Sequence, residues 1–135
     1  MKYLLVVPLI LFSCSNSNKF IQYNFCSSMV TDEPVKIELA NHSKIKNLDG
    51  KFVKVEGLYF ASFEMSGLFL SKETNTSTGL WINFNFPQIT QDSINKLLSA
   101  KKVSVIGKIN LKDRGHLSSY FGSLDSVYCI LTVKD

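Results

Sequence analysis

The stretch Phe52-Val53-Lys54-Val55-Glu56-Gly57-Leu58-Tyr59-Phe60 decides the fold. Its β-branched and aromatic residues favour extended backbone, with Val53, Val55 and Tyr59 on one face and Lys54 and Glu56 on the other. A strand with one dry face follows, and Gly57 in its middle predicts a bulge or a sharp coil. Downstream, Phe63 to Leu70 reads as a second strand, again with an internal glycine, Gly67. Lys72 to Gly79 is polar or small throughout, a loop by composition. Leu80, Ile82, Phe84 and Phe86 then alternate with Trp81, Asn83 and Asn85 in a third strand that stops at Pro87. Thr90 is placed to cap a short helix with Ile94, Leu97 and Leu98 on one face and Asp92 in the first turn. Val103, Val105 and Ile109, with Gly107 between them, make a fourth strand, and Val127 to Val133 a fifth.

The resulting order, β-β-β-α-β-β, is that of a small five-stranded OB-like barrel with one short helix between strands three and four. Glycines belong in such strands, because a strand serving two sides of a small barrel must bend where a Cβ would obstruct it. The main rival is a small β-sandwich. Upstream, Val35, Ile37 and Leu39 alternate with Lys36 and Glu38 as a short extra strand, followed by a turn at Asn47-Leu48-Asp49-Gly50. Residues 20–33 lack periodicity and read as an irregular lead-in.

The N-terminus has its own logic. Lys2 precedes an apolar run, Tyr3 to Phe12, that only Pro8 interrupts and that is far shorter than the roughly 20 residues a membrane helix needs. That is the layout of a secretory signal peptide. Leu11-Phe12-Ser13-Cys14 also resembles the bacterial lipobox, in which the signal is cut before the cysteine and the cysteine is lipidated. This resemblance implies a signal peptide over residues 1–13, a lipid on Cys14, and a tether and lead-in over 14–33. Residues 34–135 then form one OB-like domain. Ser15 is not the aspartate associated with inner-membrane retention, and no acidic run follows Cys14. An outer-membrane anchor facing the periplasm is the resulting expectation.

Without residues 1–13 the chain keeps 122 residues, enough for one domain with a real core and too few for two. Fourteen Lys and Arg then face eleven Asp and Glu, a net charge of +3. These cations are scattered along the chain, apart from Lys101-Lys102 and the neighbourhood of Lys44 to Lys54. Such thin clustering argues against a nucleic-acid partner, which needs several cations converging on one groove. Cys26 and Cys129 remain as an even pair in an oxidising compartment and can close a disulfide. Alternatively Cys129, alternating with Val127, Leu131 and Val133, sits on an inward strand face as a small hydrophobe. No CxxC or His-rich spacing supports a metal, and nothing in the sequence calls for a cofactor.

Four passages carry a further resemblance: Glu64 to Leu70 (EMSGLFL), Gly79 to Ile82 (GLWI), Val105 to Ile109 (VIGKI) and Gly115 to Leu124 (GHLSSYFGSL). Together they are similar to a family of small exported bacterial proteins, and the likeness implies an OB-like fold without an assigned activity. Ser118 stands where that family has a glycine after Gly-His-Leu.

In OB barrels the outer face of strands two and three is the usual ligand surface. Here that face would present Trp81, Asn83 and Asn85, with Glu64 on the neighbouring strand and His116 and Tyr120 in the long connection from Lys112 to Asp125. The aromatic offers a stacking surface and the amides offer directional donors and acceptors. The opposing reading is that Trp81 packs beneath that connection and the asparagines are merely wet. A binding or assembly module gripping an envelope protein or glycan is the leading expectation. The alternative is a small hydrolase with Glu64 and His116 as acid and base, although no nucleophile or metal set accompanies the pair.

Overall fold

The computed structural model describes residues 19–27 and 33–135, so the signal segment, Cys14 and most of the tether lie outside the described residues. In chain order the elements are β1 (Asn24–Cys26), β2 (Val35–Glu38), α1 (His42–Lys46), β3 (Phe52–Ser62), β4 (Met65–Phe69) and β5 (Leu80–Phe84). They continue as α2 (Gln88–Leu98), β6 (Lys101–Asn110) and β7 (Gly122–Thr132). β3, β4, β5, β7 and β6 pair in that order and close into a five-stranded ring. Every pairing in the ring is antiparallel except β5 with β7. This is an OB-like barrel, with α2 between its third and fourth strands.

The alternation in β3 does what its chemistry dictates. Val53, Val55 and Tyr59 are buried in the core, while Lys54 and Glu56 face outward. β3 pairs with β6 over Phe52–Tyr59 and with β4 over Leu58–Ser62, so one strand serves two sides of the ring. Gly57 lies at the changeover without any break in register, so it marks a coil and no bulge. A Cβ there would come within 2.8 Å of Leu68 Cγ and 3.0 Å of the Phe69 carbonyl oxygen, closer than real Cβ atoms approach. On α2, Ile94 and Leu98 join the core with Val103, Val105, Leu124 and Ile130.

Several boundaries differ from the sequence expectation. The second barrel strand starts only at Met65, because Phe63 and Glu64 form the hairpin turn between β3 and β4. α2 begins two residues before Thr90, with Pro87 at its N-cap, and the Thr90 amide donates to the Pro87 carbonyl inside the first turn. Proline carries no side-chain acceptor, so this helix starts without a side-chain cap hydrogen bond. β7 starts at Gly122, which shortens the connection after β6 to residues 111–121. The lead-in contains β1, whose short run pairs antiparallel with β7, and α1 arises where the sequence showed no helical period.

Along β7, Leu124, Val127 and Ile130 all enter the core, so strict period-two alternation does not run through the strand. Its pairings with β5 and β6 both shift register near Ser126, whose φ is +50°. Between the pairs Lys108–Asp125 and Ile106–Cys129, β7 has three residues where β6 has one. Beyond this irregularity Ile130 pairs with the inward Val105 and enters the core, while Cys129 pairs with Ile106 and points the opposite way, beneath β1. There it is joined by a disulfide to its register partner Cys26, 103 positions away.

Two stability predictions follow from this packing. Ile94→Ala should cost about 2–5 kcal/mol in chemical denaturation, the range for emptying a buried aliphatic site. Ile89→Ala, on the exposed side of the same helix, should stay within about 0.5 kcal/mol of the parent. Replacing both cysteines, Cys26→Ala with Cys129→Ala, should lower stability by about 2–5 kcal/mol, since the bond closes most of the domain into one loop. An unchanged denaturation midpoint would show that the bond does not form in the folded chain.

Candidate functional site

β5 builds the site by alternation. Leu80 and Ile82 point into the core, which turns Trp81 and Asn83 outward, toward the connection between β6 and β7. That connection is tied down at both ends. The Phe121 amide donates to the Gly79 carbonyl at 3.0 Å, the Tyr120 amide to the Arg114 carbonyl at 2.9 Å, and Arg114 Nε back to the Tyr120 carbonyl at 2.8 Å. Gly115 crosses the indole of Trp81 so closely that a Cβ would stand 2.7 Å from Trp81 Cγ, and its φ of +66° also suits glycine. Tyr120, almost fully buried, meets the same indole edge-on at 5.3 Å between centroids. Trp81 is thus half-buried and partly roofed by the connection.

Beneath this roof runs a polar chain. Trp81 Nε1 donates to Asn83 Oδ1 at 2.9 Å, and Asn83 Nδ2 donates to both Asp113 Oδ2 (2.9 Å) and Asp125 Oδ1 (2.8 Å). Asn110 Nδ2 and Ser123 Oγ also donate to Asp125, at 2.7 and 2.8 Å, and Asp113 Oδ1 accepts from the Gly115 amide at 2.9 Å. Partial burial pushes the Asp125 carboxyl up, but the hydrogen bonds from Asn110, Asn83 and Ser123 and the nearby Lys108 charge outweigh it. The net effect holds Asp125 below the usual carboxylate range. Asn83 therefore spends both amide hydrogens inside the protein, where it clamps β5 to the connection and to β7.

The remaining expected residues are dispersed around this clamp. Asn85 is exposed just beyond β5, its backbone amide bonded to the Val127 carbonyl. Glu64 sits in the β3–β4 turn, and its Oε2 lies 3.9 Å from Nε2 of His116, with both side chains well exposed. Such an exposed pair is a weak interaction, and proton transfer needs a closer approach than this. Leu117 and Ser118 take φ values of +54° and +52°, so the serine occupies the left-handed backbone that a glycine adopts freely. His42 stacks on Phe121 at 4.3 Å between ring centroids and meets the Thr78 carbonyl at 3.2 Å through Nε2, so the second histidine also packs against the connection.

Next to the clamp lies an open cleft of about 300 Å³ lined by Ser66, Trp81, Ile82, Asn83, Phe84, Gln91 and Asn95. Gln91 and Asn95 stand one turn apart on α2 and face the outer side of β4 and β5. Gln91 Nε2 donates to the Phe86 carbonyl at 2.7 Å, and the Tyr59 hydroxyl donates to Asn95 Oδ1 at 2.5 Å. Burial pushes the Tyr59 hydroxyl up to about 12, against a smaller opposing effect of Ser66, so it stays protonated as a donor. No charged side chain lines the cleft. Among the described residues no three His, Cys, Asp or Glu side chains gather as a metal site, and no helix is long and apolar enough to cross a membrane.

Sequence reasoning missed Asp113, Asp125, Asn110 and Ser123 in the clamp, and Gln91 and Asn95 in the cleft. The i, i+4 spacing of Gln91 and Asn95 is a signal that can be found in a sequence. The convergence of Asp113 and Asp125 on Asn83 depends on strand register and cannot.

No protein-family model matches the chain, and no curated protein does. Among solved structures, one match is to a crystal structure of a Leishmania major Friedlin protein assigned as an aspartyl-tRNA synthetase. It has 14% identity and a TM-score of 0.47, and it covers 82% of this chain and 23% of the other. The chain thus spans under a quarter of that protein's length, and a likeness this low carries no functional argument.

Asp125 is the residue with which to test the clamp. Its carboxyl is depressed in the folded state, so it contributes stability that is present above the unfolded value of about 3.9 and is lost as pH falls through the lower folded value. Asp125→Asn should destabilise the domain by about 1–3 kcal/mol at neutral pH, because donors are left facing an amide. The gap between parent and variant should close in denaturation curves recorded below about pH 4. A gap independent of pH would mean that the carboxylate charge is not what holds the connection.

Proposed function

We propose that the chain is a bacterial envelope lipoprotein, anchored by a lipid on Cys14 and presenting the OB-like barrel as a binding module in the periplasm, on the outer membrane. Its ligand would be a neutral, hydroxyl-rich segment such as an envelope glycan. The single observation that carries the choice of ligand is the cleft beside Trp81, walled by the amides of Gln91 and Asn95, the Ser66 hydroxyl and the indole, and without a charged side chain. Amides supply donors and acceptors to hydroxyl groups, and an aromatic edge or face packs against the apolar side of a sugar ring. Support for the anchor is the lipobox-like Leu11 to Cys14. A protein partner engaging the same cleft is the competing occupant.

A second reading, a hydrolase using Glu64 and His116 as acid and base, draws on the 3.9 Å approach of the two side chains. Among the described residues no metal-ligand set accompanies the pair, and binding without turnover is the favoured reading.

Trp81 is the chain's only tryptophan, so its fluorescence reports directly on the cleft. Titration with neutral fragments of envelope glycan should give a saturable change, weakened about tenfold or more by Gln91→Ala with Asn95→Ala. Glu64→Gln and His116→Ala should leave binding intact, and no fragment should be cleaved. A flat titration with every neutral glycan, or cleavage that depends on Glu64 and His116, would overturn this reading of the cleft. Metabolic palmitate labelling, lost in Cys14→Ala, tests the anchor separately.

A further inference from the structure

A second surface gathers charge that the sequence leaves dispersed. Lys19, Lys72, Lys101 and Lys102 line a groove of about 630 Å³, together with Phe20, Tyr23, Leu58, Ala100 and Asp135. Lys134 adds to it, its Nζ 5.6 Å from the centre of the Phe20 ring, and Lys101 Nζ lies 5.7 Å from that of Tyr23. Five lysines thus surround one groove, with Asp135 the carboxylate among its lining side chains. Apolar groups stand exposed at the same place: Ile21 is 62% exposed and Phe20 43%.

The position of this groove along the chain says what it faces. Lys19 lies five residues from Cys14, a span of at most about 17 Å even when fully extended. If Cys14 carries the lipid, the groove cannot stand far from the bilayer surface. Lysines near an anionic leaflet are attracted to its headgroups, and exposed aromatics settle at headgroup depth. A lipid anchor also keeps the groove at high effective concentration against the surface, so that weak contacts suffice to orient the barrel.

We propose that the Lys19, Lys72, Lys101, Lys102 and Lys134 groove docks onto anionic lipid headgroups and fixes the barrel in one orientation on the membrane. This rests on the lipid anchor proposed above and adds a second, electrostatic contact to it.

The test uses the lipidated chain reconstituted into vesicles. With Cys14 acylated and Cys26 bonded to Cys129, a cysteine introduced by Ala100→Cys is the one free thiol and carries a fluorophore within the groove. Leu117→Cys, on the exposed β6–β7 connection and outside the groove lining, is the reference position. Nitroxide-headgroup lipid should quench the probe at position 100 several-fold more than that at 117 in phosphatidylglycerol-containing vesicles, and not in pure phosphatidylcholine. The preference should fade at 0.5 M salt, a concentration that screens exposed charge. It should also be lost in Lys72→Glu with Lys101→Glu, which changes the groove's charge by four units, with circular dichroism unchanged. Equal quenching at both positions, or a preference indifferent to lipid charge and salt, in a chain that stays vesicle-bound would overturn the docking face and leave the anchor standing. A chain whose mass shows no lipid on Cys14 and which washes off the vesicles would overturn both.

Discussion

β3 gives its first residues to β6 and its last to β4, and the barrel exists because one strand can turn far enough to do both. The turn needs backbone to lie within van der Waals reach of Leu68 and Phe69 at Gly57, where no side chain fits. Once β3 is shared in this way, β4 and β6 are fixed on either side. The ring can then close only by placing β5 beside β7, and those two strands run parallel. Everything placed on β5, including the outward face with Trp81 and Asn83, inherits its direction from that closure.

The connection from β6 to β7 carries a further constraint. The two strands are antiparallel neighbours with Asn110 paired to Ser123, so residues 111–121 form a long hairpin loop, which lies over the outward side of β5. A connection of this length needs internal polar partners to hold one path. Asn83 helps by donating to Asp113 within the segment and to Asp125 on β7 just beyond it, while Gly115 and Tyr120 pack on the indole. The residues that looked most suited to gripping a ligand are in large part gripping the protein itself. Beside them lies the open cleft, where α2 brings Gln91 and Asn95 against β4 and β5.

The uncharged cleft and the basic groove share no lining residue and suit opposite chemistries. One is lined by amides and an indole without a charged side chain; the other by ammonium groups backed by aromatic rings.

Much of the architecture was legible in the residues themselves. The period-two alternation of Val53, Val55 and Tyr59, of Leu80 and Ile82, and of Val103 and Val105 places each strand and its dry face, because burial on one side of a pleat is a local property of the chain. The helix was legible too, through Ile94 and Leu98, although it starts at Gln88, with Pro87 at the N-cap and no side-chain cap hydrogen bond. What the tertiary structure alone decided depends on register and on closure. Register with β6, which sets Ile130 against the inward Val105 and Cys129 against Ile106, put Cys129 outside the core and opposite Cys26, though alternation counted from Val127 points it inward. Strand order brought Asp113, Asp125 and Asn83 together and drew Lys19, Lys72, Lys101, Lys102 and Lys134 from distant positions to one groove. The physical reason is the same in each case: a strand's pattern specifies which of its faces is dry, while its neighbours, and hence its site, are set by how the whole sheet closes.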